Sequence, residues 1–167
     1  MTDPSIEDLS GTGITGRYFE EFQPGQRFKT AGATLTESMI LDFAQQYDPQ
    51  PFHIDVEAAK DTPFGGLIAS GFQTLSMSFR LVWDTGLFRG TGLGSGGGEG
   101  VRWLHPVRPG DTLYVVLEVA SVRPSKSSSE RGTVVLNYTT RNQTGTAVMT
   151  VSFNHLIKRK KPETLVV

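Results

Sequence analysis

The order of apolar and polar positions changes character part-way along the chain. TESMILDFAQQY, residues 36–47, places Met39, Ile40, Phe43 and Tyr47 at helical spacing behind a threonine suited to cap the first turn. This predicts a helix that stops at Asp48, because a residue before proline is pushed out of the helical region. DVEAAKD, opened by Asp55, predicts one or two further helical turns. SGFQTLSMSFRLVW, residues 70–83, predicts the most buried helix of the chain. Its apolar stripe is Phe72, Leu75, Phe79, Val82 and Trp83, with small Ser76 and Ser78 leaving room for close packing.

Beyond residue 98 the repeat becomes that of strands. GEGVRWLHPV, DTLYVVLEVASV, GTVVLNYTTRN and GTAVMTVSFNHLI predict four strands, joined by the turn segments PGD, PSKSSSERG and NQTG. Ala147, Met149, Val151 and Phe153 face one way and Val148, Thr150 and Ser152 the other; Leu113, Val115, Leu117 and Val119 alternate similarly. Such alternation implies an antiparallel sheet with one covered face. QRFKTAGATLT predicts an earlier strand. Helices first and strands afterwards, with one long apolar helix to cover the sheet, give an α+β architecture. GLFRGTGLGSGGGEG holds eight glycines in residues 86–100; it lacks a phosphate-loop pattern and reads as a flexible connector. Residues 1–16 read as a flexible tail, 17–157 as a single domain and 158–167 as a basic tail.

Composition narrows the partners. With 167 residues, one domain can enclose a sizeable core, and 16 basic against 17 acidic residues give no global charge to attract nucleic acid. The absence of cysteine excludes disulfides and thiolate metal sites. His53, His105 and His155 have no ligand spacing, so no metal is expected. The opening residues lack a secretory pattern and no apolar run reaches membrane-spanning length, so a cytoplasmic protein is expected.

The chemistry concentrates in YDPQPFHID, residues 47–55, whose two prolines rule out a regular helix and fix the relation of Asp48 to His53. An acid and an imidazole held rigidly can share one water, which is the equipment for general acid–base work. Burial beside Tyr47 and Phe52 is expected to raise the Asp48 pKa. A bland reading stands beside this one: Asp-Pro ends helices and His53 can simply bond a carbonyl. FGGLIASGFQT adds a second element. Ser70 can cap the long helix, and the free N–H groups at Gly71 could hold a thioester oxygen as it becomes enolate-like.

DPQPFHID, FGGLIASG and VRWLHPVRPGDTL, in that order, resemble the motifs of the MaoC-like, (R)-specific enoyl-CoA hydratase family, a branch of the hot-dog fold. The resemblance covers roughly residues 17–157. It implies an antiparallel sheet wrapped around a central helix. The implied reaction is reversible addition of water to a trans-2-enoyl-CoA, giving an (R)-3-hydroxyacyl-CoA. Asp48 and His53 become the water-activating pair, Gly71 the oxyanion donor through its backbone N–H, and Ser76 a supporting serine near the acid. Gln50 stands where the family motif has Asn. No cofactor is implied, because CoA belongs to the acyl-CoA substrate, and a homodimer is expected from the open sheet edges. Two alternatives remain: a hot-dog thioesterase, opposed by the absence of Asp and Glu from residues 65–83, and a non-catalytic acyl-thioester-binding module. His105 reads as structural, and KRKK at 158–161 as a solvated tail rather than a contact to CoA phosphates.

Overall fold

The computed structural model describes residues 5–11 and 15–160. Its centre is helix α3, Gly71–Asp84, laid against a seven-stranded sheet. The strands are β1 (Ile6–Asp8), β2 (Arg27–Lys29), β3 (Ala33–Thr34), β4 (Gly92–Trp103), β5 (Thr112–Pro124), β6 (Arg131–Arg141) and β7 (Ala147–Lys158). They run in the order β1-β2-β5-β6-β7-β4, with β3 pairing to β5. All pairings are antiparallel except β1 with β2. This is the hot-dog arrangement, an α+β fold. Helices α1 (Glu37–Tyr47) and α2 (Pro51–Ile54) precede α3 and carry the proline-rich loop. No helix among the described residues is long and apolar enough to cross a membrane.

The alternation read in β5 holds: Leu113, Val115, Leu117 and Val119 are all buried in the core. Thr36 caps α1 through its hydroxyl, which accepts from the Met39 N–H at 3.3 Å. Other expectations need correction. Residues 86–100 are not simply a connector, since β4 starts at Gly92 and pairs along β7. Backbone pairing needs no side chains, so a glycine strand carries no hydrophobic alternation to read. A Cβ at Gly98 would strike the Phe153 ring, and the register shifts along β4 accompany positive φ at Gly94, Gly97 and Gly100. Part of the expected tail is also strand. Ile6–Asp8 pair with Arg27–Lys29, and Leu9 is buried. Residues 1–4, 12–14 and 161–167 lie outside the described residues; Lys158 ends β7, and Arg159 bonds Glu20 at 2.7 Å.

Both helical faces differ from the periodic reading. On α1 the fully buried residues are Ile40 and Ala44, whereas Tyr47 is 68% exposed. On α3, Phe72 and Trp83 are more than half exposed and Phe79 is partly so. The sheet-facing side keeps Val82 from that stripe and adds Thr74, Met77, Ser78 and Leu81. Small residues win there because they let the helix approach the sheet, where Ser78 Oγ and Thr140 Oγ1 bond at 2.7 Å. The hydroxyls of Thr74 and Ser78 are satisfied locally by the carbonyls four residues before them.

His155 is buried on β7, its Nε2 2.9 Å from Tyr138 Oη and its ring stacked 4.5 Å from Phe88. Burial pushes its pKa down to about 4, from 6.5. The folded state therefore resists a proton that the unfolded chain accepts, so this stabilisation is whole above pH 6.5 and is lost as pH falls toward 4. The loss should reach about 3 kcal/mol. Urea unfolding followed in steps across that window should show the decline. His155→Gln, which cannot take up the proton, should flatten it even though its overall stability is lower.

Candidate functional site

The sequence around Asp48 folds as three short events. The Asp48 N–H closes α1 on Ala44 O at 2.9 Å, and Pro49 then prevents the helix from continuing. Gln50 caps a new single turn with Pro51 at its first position, where the missing N–H costs nothing. The segment read as incapable of regular helix thus contains one turn of it. That turn buries His53 and points it back at the acid.

His53 is 4% exposed, and its Nδ1 lies 2.8 Å from Ile68 O. A carbonyl can only accept, so Nδ1 carries a hydrogen and Nε2 is the ring nitrogen turned toward the acid. Nε2 sits 3.4 Å from Asp48 Oδ2. Ser70 Oγ–H donates to the same oxygen at 2.6 Å, and the Gln50 amide donates to Oδ1 at 2.8 Å. Burial pushes the Asp48 pKa up, but hydrogen bonds from Ser70 and Gln50, together with the adjacent His53, outweigh it. The net pKa is lowered, contrary to the expectation from burial alone. Asp48 is held as a carboxylate.

Ser70 also caps α3, its hydroxyl oxygen accepting from the Phe72 N–H at 3.1 Å. Gly71 follows as the first residue of the helix, where backbone N–H groups have no partner within the helix. Gly71 lines a cavity of about 380 Å³. Asp48, Gln50, His53 and Gly71 line it with an apolar wall that includes Phe52, Phe64, Phe72, Trp103 and Val107. An acid and an imidazole thus share one apolar cavity with the start of α3.

Of the residues singled out in the sequence, Asp48, His53 and Gly71 come together and Ser76 does not. Ser76 is exposed on α3, beside Asp42 and Phe43. It lies six residues from the cap, more than a turn along the helix and on a different face. The serine that bonds the acid is Ser70. Its capping signal was legible, but its reach to Asp48 depends on where α1 ends in space. Gln50 fills the gap of the usual Asn with a bond of ordinary length. His105 binds the Ala147 carbonyl through Nδ1 at 2.9 Å, the structural contact expected of it, and also borders the cavity.

The family model for the MaoC like domain matches residues 20–142, a span that holds every one of these groups. The chain belongs to the MaoC-like domain family. The MaoC-like dehydratase of Rhodospirillum rubrum superposes with a TM-score of 0.82 at 36% identity, covering 88% of this chain and all (100%) of that one. The uncharacterized protein YdeM of Bacillus subtilis is 34% identical over 140 residues, 84% of this chain and 98% of its own. An (R)-specific enoyl-CoA hydratase of Rhodospirillum rubrum is 27% identical over 124 residues, 71% of this chain and 80% of its own. In this member of the family, two side-chain donors brace the acid from opposite sides.

Ser70→Ala should remove both the cap and one of those donors. Stability should fall by about 1–3 kcal/mol in urea unfolding. The Asp48 carboxyl, followed by carbon-13 NMR, should titrate at higher pH. Gln50→Ala should move it the same way without the loss of a capping hydrogen bond, since the Gln50 side chain makes none to α2.

Proposed function

We propose that the protein adds water reversibly to a trans-2-enoyl-CoA, forming an (R)-3-hydroxyacyl-CoA. One observation carries this reading: Asp48 Oδ2 and His53 Nε2, 3.4 Å apart, lie in the same apolar cavity as the first turn of α3. With the His53 ring neutral, the two can each take one hydrogen of a single water, leaving an oxygen lone pair for C3 of the substrate. Asp48, kept ionised, orients the water, and the His53 lone pair is placed to receive its proton. The hydroxyl bonds to C3 while the π electrons move toward the thioester carbonyl. The Gly71 N–H meets the oxygen as charge gathers on it. The pair then returns the proton to C2, so one water ends divided between C2 and C3. CoA enters as part of the substrate, and a cytoplasmic setting suits the reaction.

A homodimer accompanies this reading. Phe79 and Trp83 on α3, with Leu93 on β4, leave an apolar face exposed, and β4 is an edge strand. A second copy packing α3 and β4 against their equivalents covers both. Light scattering should give twice the chain mass; a monomer at micromolar concentration would remove the dimer.

Loss of conjugated absorbance from crotonyl-CoA and longer enoyl-CoAs tests the activity. Asp48→Asn and His53→Ala should each lower kcat by about 100-fold or more, with unfolding midpoints of folded protein retained. No absorbance loss across short, long and branched substrates would sink the hydratase reading, and release of free thiol would replace it with a thioesterase.

A further inference from the structure

Trp103 closes the cavity over the first turn of α3 and has no part in the pair that handles water. It is the last residue of β4, and its ring meets Phe72 edge to face with centroids 5.9 Å apart. The indole lies so close to Gly71 that a Cβ there would collide with it: Trp103 Nε1 is 2.5 Å from that Cβ position. A Cβ lies about 2.5 Å from the nitrogen of its own residue. The indole nitrogen and the Gly71 nitrogen are therefore within about 5 Å of each other. Two N–H donors can share one oxygen, each at about 2.9 Å, only if they lie less than about 6 Å apart, a limit this pair meets. A thioester oxygen has two lone pairs for them.

The remaining bonds leave the indole free for this use. Among the described residues its N–H meets no acceptor, and the ring is about half exposed at the cavity wall. Indole nitrogen only donates, so an oxygen gathering negative charge is the group it suits. Gly71 serves the same arrangement from below. The missing side chain lets the ring approach the helix start, and any larger residue would push the two donors apart.

We infer that Trp103 is a further catalytic residue, whose indole N–H joins the Gly71 N–H in holding the thioester oxygen. The inference rests on the acyl-CoA reading of the cavity. It assigns the oxyanion site to two elements, the start of α3 and the end of β4, so its geometry depends on how helix and sheet pack together. A shared oxygen also fixes the plane of the thioester, and with it the face of C3 presented to Asp48 and His53.

Infrared difference spectra of bound (R)-3-hydroxybutyryl-CoA, labelled with carbon-13 at the thioester carbonyl, report donors on that oxygen directly. The wild-type protein should lower the carbonyl stretch relative to free ligand. Trp103→Phe keeps an aromatic ring and removes the N–H, so it should recover part of that shift. It should also lower kcat for crotonyl-CoA by about 10- to 100-fold, toward the low end of what removing one oxyanion donor costs. KM should change little, and the thermal midpoint by circular dichroism should match that of the wild type. Gly71→Ala, which displaces the ring, should shift the stretch in the same direction. If Trp103→Phe keeps the wild-type stretch and kcat, the second donor is overturned. A stretch that depends on Trp103 in a protein that hydrates no enoyl-CoA would keep the donor pair and remove the hydratase reading. Hydration with a stretch indifferent to Trp103 would do the reverse.

Discussion

The 2.6 Å hydrogen bond from Ser70 Oγ to Asp48 Oδ2 joins the end of α1 to the start of α3, and the site is arranged around it. A carboxylate at the C-terminal end of a helix meets the negative end of the dipole, which is an unfavourable place for charge. Asp48 is tolerated there because it faces the opposite end of another helix. Ser70 gives one hydrogen bond to the acid and accepts another from the Phe72 N–H, so a single hydroxyl fixes both the acid and the helix start. His53 is held separately, by the Ile68 carbonyl. Ile68 and Ser70 are two residues apart, so the pair is anchored to one short segment.

That segment is in turn tied to the sheet. The Ala69 N–H bonds Val107 O at 2.8 Å, and the Ile68 N–H bonds Phe52 O at 3.1 Å. These bonds position the 103–107 stretch against α2 and bring Trp103 over Gly71. The cavity is thus the space left where α2, the start of α3 and the end of β4 meet. Its apolar lining strengthens each electrostatic contact inside it, because a low local dielectric screens charges less than water does.

Helix α3 has two incompatible demands on it. The side against the sheet needs small residues for close approach, and Thr74, Ser78 and the Ser78–Thr140 bond meet that need. The aromatic residues are left on the other side, where one chain supplies no cover. Of the helical stripe in the sequence, Phe72, Phe79 and Trp83 therefore face outward, while Val82 stays in the internal core. The glycine strand β4 continues the same surface, and its lack of side chains admits the Phe153 ring beside the backbone.

Much of this was legible in the residues. Alternation over β5 and β7 required a one-sided sheet, Thr36 and Ser70 marked two helix starts, and prolines at 49 and 51 forced Asp48 and His53 into a fixed relation. Motif order gave the family and, with it, the roles proposed for Asp48, His53 and Gly71. Local chemistry suffices for such features, since caps, proline and alternation act within a few residues. Other features needed distances between segments far apart in the chain. Asp48 meets Ser70 across 22 residues and Gly71 meets Trp103 across more, and no spacing in the sequence encodes either. The same holds for the Asp48 pKa, where burial alone points upward and only the assembled donors turn it down. The sequence by itself singled out Asp48, His53 and Gly71 as groups that would meet. The tertiary structure decided what stands around them, because hydrogen bonds and desolvation depend on proximity in space rather than along the chain.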